Sequence, residues 1–196
     1  QLGPFADHPL ENATLTTTPY TTTTNIPAVI AEAPTDNTGN NSSDAIAIAI
    51  TDAVVTYDND FNAVWLGGGD GHIQAYNITE LNDLEVGDKV SFTVTEITNY
   101  FGQYEITAID ATTLSVTAHN EPIYYIDASS TELDYATHQN INVEFYGTVG
   151  AALADDCGNN RTCWPVTNGT TTNTVNYSDN ALPAMAENEC YHILAP

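Results

Sequence analysis

Apolar residues in this chain recur at every second position, and nowhere at the three-to-four spacing of a helix. AIAIAITDAVVTY (residues 45–57) and KVSFTVTEI (residues 89–97) show the alternation most cleanly. Period two sends successive side chains to opposite faces of a strand, so one face can be buried and the other solvated. Turn signals rich in Gly, Asn and Asp interrupt these runs every 8–12 residues or so, which is the pattern of a sandwich or barrel. The chain is therefore expected to be all-β. With 42% apolar residues in 196, it can fill a packed core.

Three stretches differ in character. Residues 1–44 are rich in Thr, Pro and Asn, and Pro4, Pro9, Pro19, Pro27 and Pro34 disfavour both helix and interior strand. The same stretch is β-prone through Thr, Tyr, Val and Ile, so it reads as an extended N-terminal arm. Residues 45–118 read as strand, strand, Gly turn (GGGDG, residues 67–71), strand, one helical turn closed by Gly87, then further strands. Residues 119–196 form a second β unit around NINVEFYGTVG (residues 140–150), CWPVTNG, NTVNYS and ECYHILA.

Charge excludes several functions. There are 26 acidic residues against two strong bases, Lys89 and Arg161, for a formal net charge of −24. Nucleic-acid binders neutralise phosphates with Lys and Arg, so DNA and RNA are not expected partners. Such a chain stays dispersed and attracts cations. No apolar run of about 18 residues occurs, so no membrane-spanning helix is expected. The segment begins at Gln1, which is the expectation for a processed, exported protein. Asn-x-Ser/Thr sequons stand at Asn12, Asn40, Asn41, Asn77, Asn160, Asn168 and Asn176, with Asn40 and Asn41 overlapping. They are acceptors for covalent glycans in an extracellular protein. Of three cysteines, Cys157 and Cys163 close the short loop CGNNRTC and can form a disulfide; Cys163 with Cys190 is the alternative.

Residues 45–118 resemble an OB-fold, a five-stranded Greek-key barrel, and LEVGDKVSFTVTEITNYFGQYEITAIDATTLSV looks like its fourth and fifth strands in secreted bacterial proteins. The second unit resembles a divergent copy that stops before a fifth strand. The resemblance implies two OB-like units behind an arm. A barrel short of one strand exposes unpaired backbone groups, and donation of the β-prone arm to the next protomer would close it. Repeated head to tail, that contact builds a filament of identical subunits. The expected function is thus an extracellular structural protein assembled by N-terminal strand donation around residues 14–30. Leu15, Ile26, Val29 and Ile30 would be the inserting side chains.

Other sites read less specifically. Asp58, Asp60 and Asn62 have the i, i+2, i+4 spacing that opens a calcium loop, but lack the Gly and Glu that complete an EF-hand. Asp70 would join them if its strands folded back as a hairpin, and Asp155 and Asp156 make a second acidic turn. A secreted carbohydrate- or calcium-dependent adhesion module is the alternative function, with Tyr100 and Phe101 exposed on a turn. Trp65, Phe92 and Phe145 are expected inside. No GxSxG or HExxH motif occurs and the five histidines (His8, His72, His119, His138, His192) are scattered, so no catalytic residues are assigned and an enzyme is not expected.

Overall fold

The computed structural model describes residues 13–35, 42–134, 138–153, 163–175 and 185–195. Strand dominates, in keeping with the period-two pattern, and the described residues fall into two compact units.

The first unit contains described residues 13–35, 42–125 and 139–142. Its centre is a closed barrel of β2 (Ser42–Asp58), β3 (Ala63–Gly68), β4 (Gly71–Tyr76), β5 (Lys89–Tyr100) and β6 (Gln103–Ala118), in the order β2-β3-β4-β6-β5. All neighbours are antiparallel except β4 and β6, which run parallel at Gln74–Glu105 and Ala75–Ile106. Alternation fills the interior: Val90, Phe92 and Val94 of β5, Val64 and Leu66 of β3, and Ile73 and Ala75 of β4 are buried together. Between β4 and β5 the chain makes a single 3-10 turn at Thr79–Leu81, with Gly87 at φ +93° in the bend that follows.

Two expectations change here. Residues 13–35 are not extended throughout: β1 (Leu15–Thr16) pairs in parallel with β7 (Ile123–Tyr124), and Ile26–Ala31 form a short helix, α1. Pro27 does not prevent that helix, because it sits in the first turn, where a backbone N–H has no intrahelical partner to lose. Trp65 is only half-buried, packed edge-on against Tyr57 at 5.2 Å, while its neighbours Val64 and Leu66 take the interior. Phe92 and Phe145 are inside as expected. β6 runs unbroken through YEITAIDATTLSVTA. Its register on β5 shifts between Ser91 and Thr93, and Asp110 Oδ1 there takes hydrogen bonds from both the backbone and hydroxyl of Thr112.

The second unit contains described residues 126–134, 138, 143–153, 163–175 and 185–195. Its strands are β8 (Ile126–Asp127), β9 (Val143–Val149), β10 (Trp164–Asn168), β11 (Thr171–Val175) and β12 (Cys190–Ala195). The sheet runs β11-β10-β9-β12, with β8 parallel to one end of β9. Ala128, Val143, Phe145, Val149 and Val166 form its buried core. Asn173 ties the lead-in segment to the sheet: its Nδ2 donates to the carbonyls of Ala128 and Thr131, and its Oδ1 accepts from the Leu133 N–H at 2.8 Å.

Candidate functional site

The four residues expected to hold calcium do not converge. Asp58 ends β2, and Asp60 and Asn62 lie in the turn between β2 and β3. That turn is held by Asn59, whose Oδ1 accepts N–H bonds from Phe61, Asn62 and Ala63 at 2.9–3.1 Å. Asp58 Oδ1 takes the Asp60 N–H at 2.8 Å. Partial burial pushes the Asp58 carboxyl up, against the lowering effect of that N–H. Asp70 sits in the turn at the far end of β3, six residues of strand away. At about 3.4 Å per residue that separates it from the loop by roughly 20 Å. The hairpin does form, but it carries Asp70 away from the loop instead of towards it. Among the described residues, no group of three or more His, Cys, Asp or Glu side chains is gathered as metal ligands are. Asp155 and Asp156 lie outside the described residues.

Asp70 has a different task. Its Oδ1 accepts the Thr24 N–H at 2.8 Å and the Thr24 hydroxyl at 2.6 Å, and its Oδ2 accepts the Asn25 N–H at 3.0 Å. Burial alone would raise this carboxyl, but the bonds from Thr24 and Asn25 outweigh it and hold it below the usual carboxylate range. The glycines of GGGDG serve the same contact. A Cβ on Gly68 would stand 2.1 Å from Thr24 Cγ2, and one on Gly69 would stand 2.6 Å from the Tyr20 carbonyl oxygen. The Gly69 N–H donates to the Thr22 carbonyl at 2.8 Å. So the Gly-rich turn is a bare surface on which residues 20–25 lie.

Three of the four expected donor side chains are engaged within their own unit. Ile26 and Val29 are fully buried in the barrel core, and Ile30 packs partly against it. Leu15, at 37% exposure, is the one of the four that remains open. Ile26 and Val29 therefore cannot enter a neighbour without leaving this core.

Of the sequons, Asn77 follows β4 at φ 57° and Asn168 ends β10; both are exposed. Asn12, Asn40, Asn41, Asn160 and Asn176 lie outside the described residues, as does Cys157. Cys190 carries a free, exposed thiol, so the alternative pairing with Cys163 is not formed. Tyr100 and Phe101 stand exposed at the β5–β6 turn, edge to face at 4.9 Å, with Phe101 at φ 52°. No helix among the described residues is long and apolar enough to cross a membrane.

The second unit's sheet repeats part of the barrel's topology. β9, β10, β11 and β12 repeat the mutual pairing of β2, β3, β4 and β5: first with second, second with third, and first with fourth, all antiparallel. In the barrel, β6 then closes the gap by running parallel to β4 and antiparallel to β5. Among the described residues, the second sheet has no equivalent of β6, so it ends in two edges, β11 and β12. Such edges present unpaired N–H and C=O groups to any strand that fits.

Two arrangements could not be read from sequence spacing. An acidic cavity of about 320 Å³ in the first unit is lined by Asp58, Asp60, Glu85 and Glu121; Glu121 also pairs with Lys89 at 3.1 Å. On the second unit, Glu144, Tyr146 and His192 meet across β9 and β12. No protein-family model matches the sequence, and no curated protein is similar to it.

Proposed function

We propose that the protein is an extracellular structural subunit that assembles head to tail by β-strand addition. Both units are read as OB-like, the second without a closing strand among the described residues. The observation that carries this reading is the repeated pairing order: four strands of the second sheet follow the first four of the barrel, and among the described residues no strand takes the fifth position between β11 and β12. A strand parallel to β11 and antiparallel to β12 would complete it, as β6 does for the barrel.

The donor is assigned to the N-terminus of a neighbouring copy, upstream of the stretch that packs on its own barrel. Residues 1–12 include Leu2, Phe5 and Leu10, and 12 extended residues reach about 40 Å. They lie outside the described residues. An exported protein also supports a Cys157–Cys163 disulfide and glycans at accessible sequons such as Asn77.

Electron microscopy and size-exclusion chromatography test the reading. The full chain should form filaments. A chain without residues 1–12 should keep its circular dichroism spectrum and remain monomeric, and a synthetic peptide of those residues should block elongation of the full chain. Filaments from the shortened chain would refute N-terminal donation, and a full chain that stays monomeric would refute the structural role.

A further inference from the structure

The outer face of the second unit's sheet carries an ordered aromatic pair for which the core has no use. Val143, Phe145 and Val149 of β9 point inward, so Glu144, Tyr146 and Thr148 stand on the opposite face. β12 pairs with β9 so that His192 lies opposite Tyr146, and Cys190 opposite Thr148. The Tyr146 and His192 rings stack at 4.2 Å, 13° from parallel. A single carboxylate oxygen fixes both: Glu144 Oε1 lies 2.6 Å from His192 Nε2 and accepts the Tyr146 hydroxyl at 3.2 Å. The Glu144 side chain is mostly buried, whereas Tyr146 is 48% exposed.

This pair borders a groove of about 570 Å³. Thr148, Thr167, Cys190 and the turn at Asn168 and Gly169 are among its other lining residues. Thr167 and Thr172 hydroxyls meet at 2.9 Å at its edge. Small-ligand sites have this size and this make-up, an aromatic surface with a few placed polar groups.

We propose that this groove binds the neutral pyranose rings of an oligosaccharide, one ring packing its C–H face on Tyr146 while its hydroxyls bond Thr148 and Thr167. A pyranose presents an apolar face and a rim of donors and acceptors, and Tyr and Thr side chains match both. His192 and Glu144 hold the Tyr146 ring in place before any ligand arrives, which removes part of the ordering cost of binding. The formal charge of −24 selects against uronic or sulfated sugars. The groove lies within one unit and is independent of the assembly reading.

The test is isothermal titration of the full-length protein, produced without N-glycans, with mannohexaose, cellohexaose and xylohexaose, and with a sulfated hexasaccharide as control. At least one neutral sugar should bind with Kd below about 10 mM. Tyr146→Ala should weaken it about tenfold or more, and Tyr146→Phe, which keeps the ring, by no more than about threefold. Circular dichroism and the unfolding midpoint of each variant report whether the sheet is intact. The proposal is overturned if none of the three neutral sugars binds at about 10 mM. It is equally overturned if a folded Tyr146→Ala binds as well as the parent, or if the sulfated sugar binds as tightly.

Discussion

Replacing Asp70 by Ala should release residues 20–25 from the barrel. Three donors converge on the Asp70 carboxylate, two from Thr24 and one from Asn25. Thr24 is fully buried, so its N–H and hydroxyl would lose their acceptor where water has little access. An orphaned buried donor costs about 1–3 kcal/mol. The exposed Asn25 N–H can turn to water at little cost. Water entering the space vacated by the carboxylate recovers part of the rest, which leaves an expected loss of about 2–4 kcal/mol. Urea unfolding followed by Trp65 fluorescence, in a Trp164→Phe background, reads this unit alone. A double-mutant cycle with Thr24→Val should show strong coupling, since either change removes the same bond. The charge gives a second readout. The folded-state carboxyl is held below its unfolded value near 3.9, so its contribution is complete above that pH and fades as pH falls through the folded value. The difference between parent and Asp70→Asn should shrink over that window. A loss under about 0.5 kcal/mol for Asp70→Ala, or additivity with Thr24→Val, would refute the reading of Asp70 as an anchor for these residues.

Ile26→Ala should destabilise the barrel unit by about 2–5 kcal/mol in the same assay, because Ile26 is fully buried in its core. His72 is enclosed by Tyr20 and Tyr124, and burial pushes its imidazole down to about 4. The unfolded chain therefore binds a proton that the folded chain does not between about 6.5 and 4, and stability should fall as pH is lowered through that window. His72→Phe should flatten this part of the pH–stability curve. Glu105 has the opposite sign: burial raises its carboxyl to about 7, so stability should fall as pH rises from about 4.5 to 7. Glu105→Gln should remove that loss and raise stability at pH 7 by about 1–3 kcal/mol, measured by urea titration at several pH values.

The strands were legible wherever one face is core and the other solvent. β5 alternates cleanly from Lys89 to Val94 and β2 from Ala45 to Ile50, whereas Ala53 to Thr56 and Ile97 to Asn99 are buried one after another. The misreadings have local causes. Pro27 looked like a helix breaker because a sequence does not show that Pro occupies a first turn. Within β6, the side chains of Asp110 and Thr112 bond locally, and the strand continues past them. GGGDG was readable as a turn, since Gly permits tight geometry. Its purpose was not, because the segment it accommodates lies more than 40 residues earlier in the chain. The Glu144, Tyr146 and His192 cluster was hidden for the same reason. Alternation assigns each residue a face, but only the register of β9 on β12 sets His192 beside Tyr146.

The charge of the chain and the edges of its second sheet bear on one problem. Open strand edges invite pairing with any exposed strand, and proteins suppress this with charge or cover. β11 itself is uncharged, TTNTV, and β12 carries no acidic residue. The protection must come from their surroundings, and Glu187 and Glu189 stand exposed just ahead of β12. Paired strands lie about 4.8 Å apart, well inside a Debye length of roughly 8 Å at physiological salt. Two copies meeting with their β12 edges parallel would thus bring these carboxylates side by side, essentially unscreened. A donor from residues 1–12 carries only Asp7 and Glu11 as acids and has apolar side chains for the core. On the proposed reading, the same charge that keeps whole copies apart still admits a narrow, weakly charged strand. That would make the acidity a selector for the mode of assembly as well as a source of solubility.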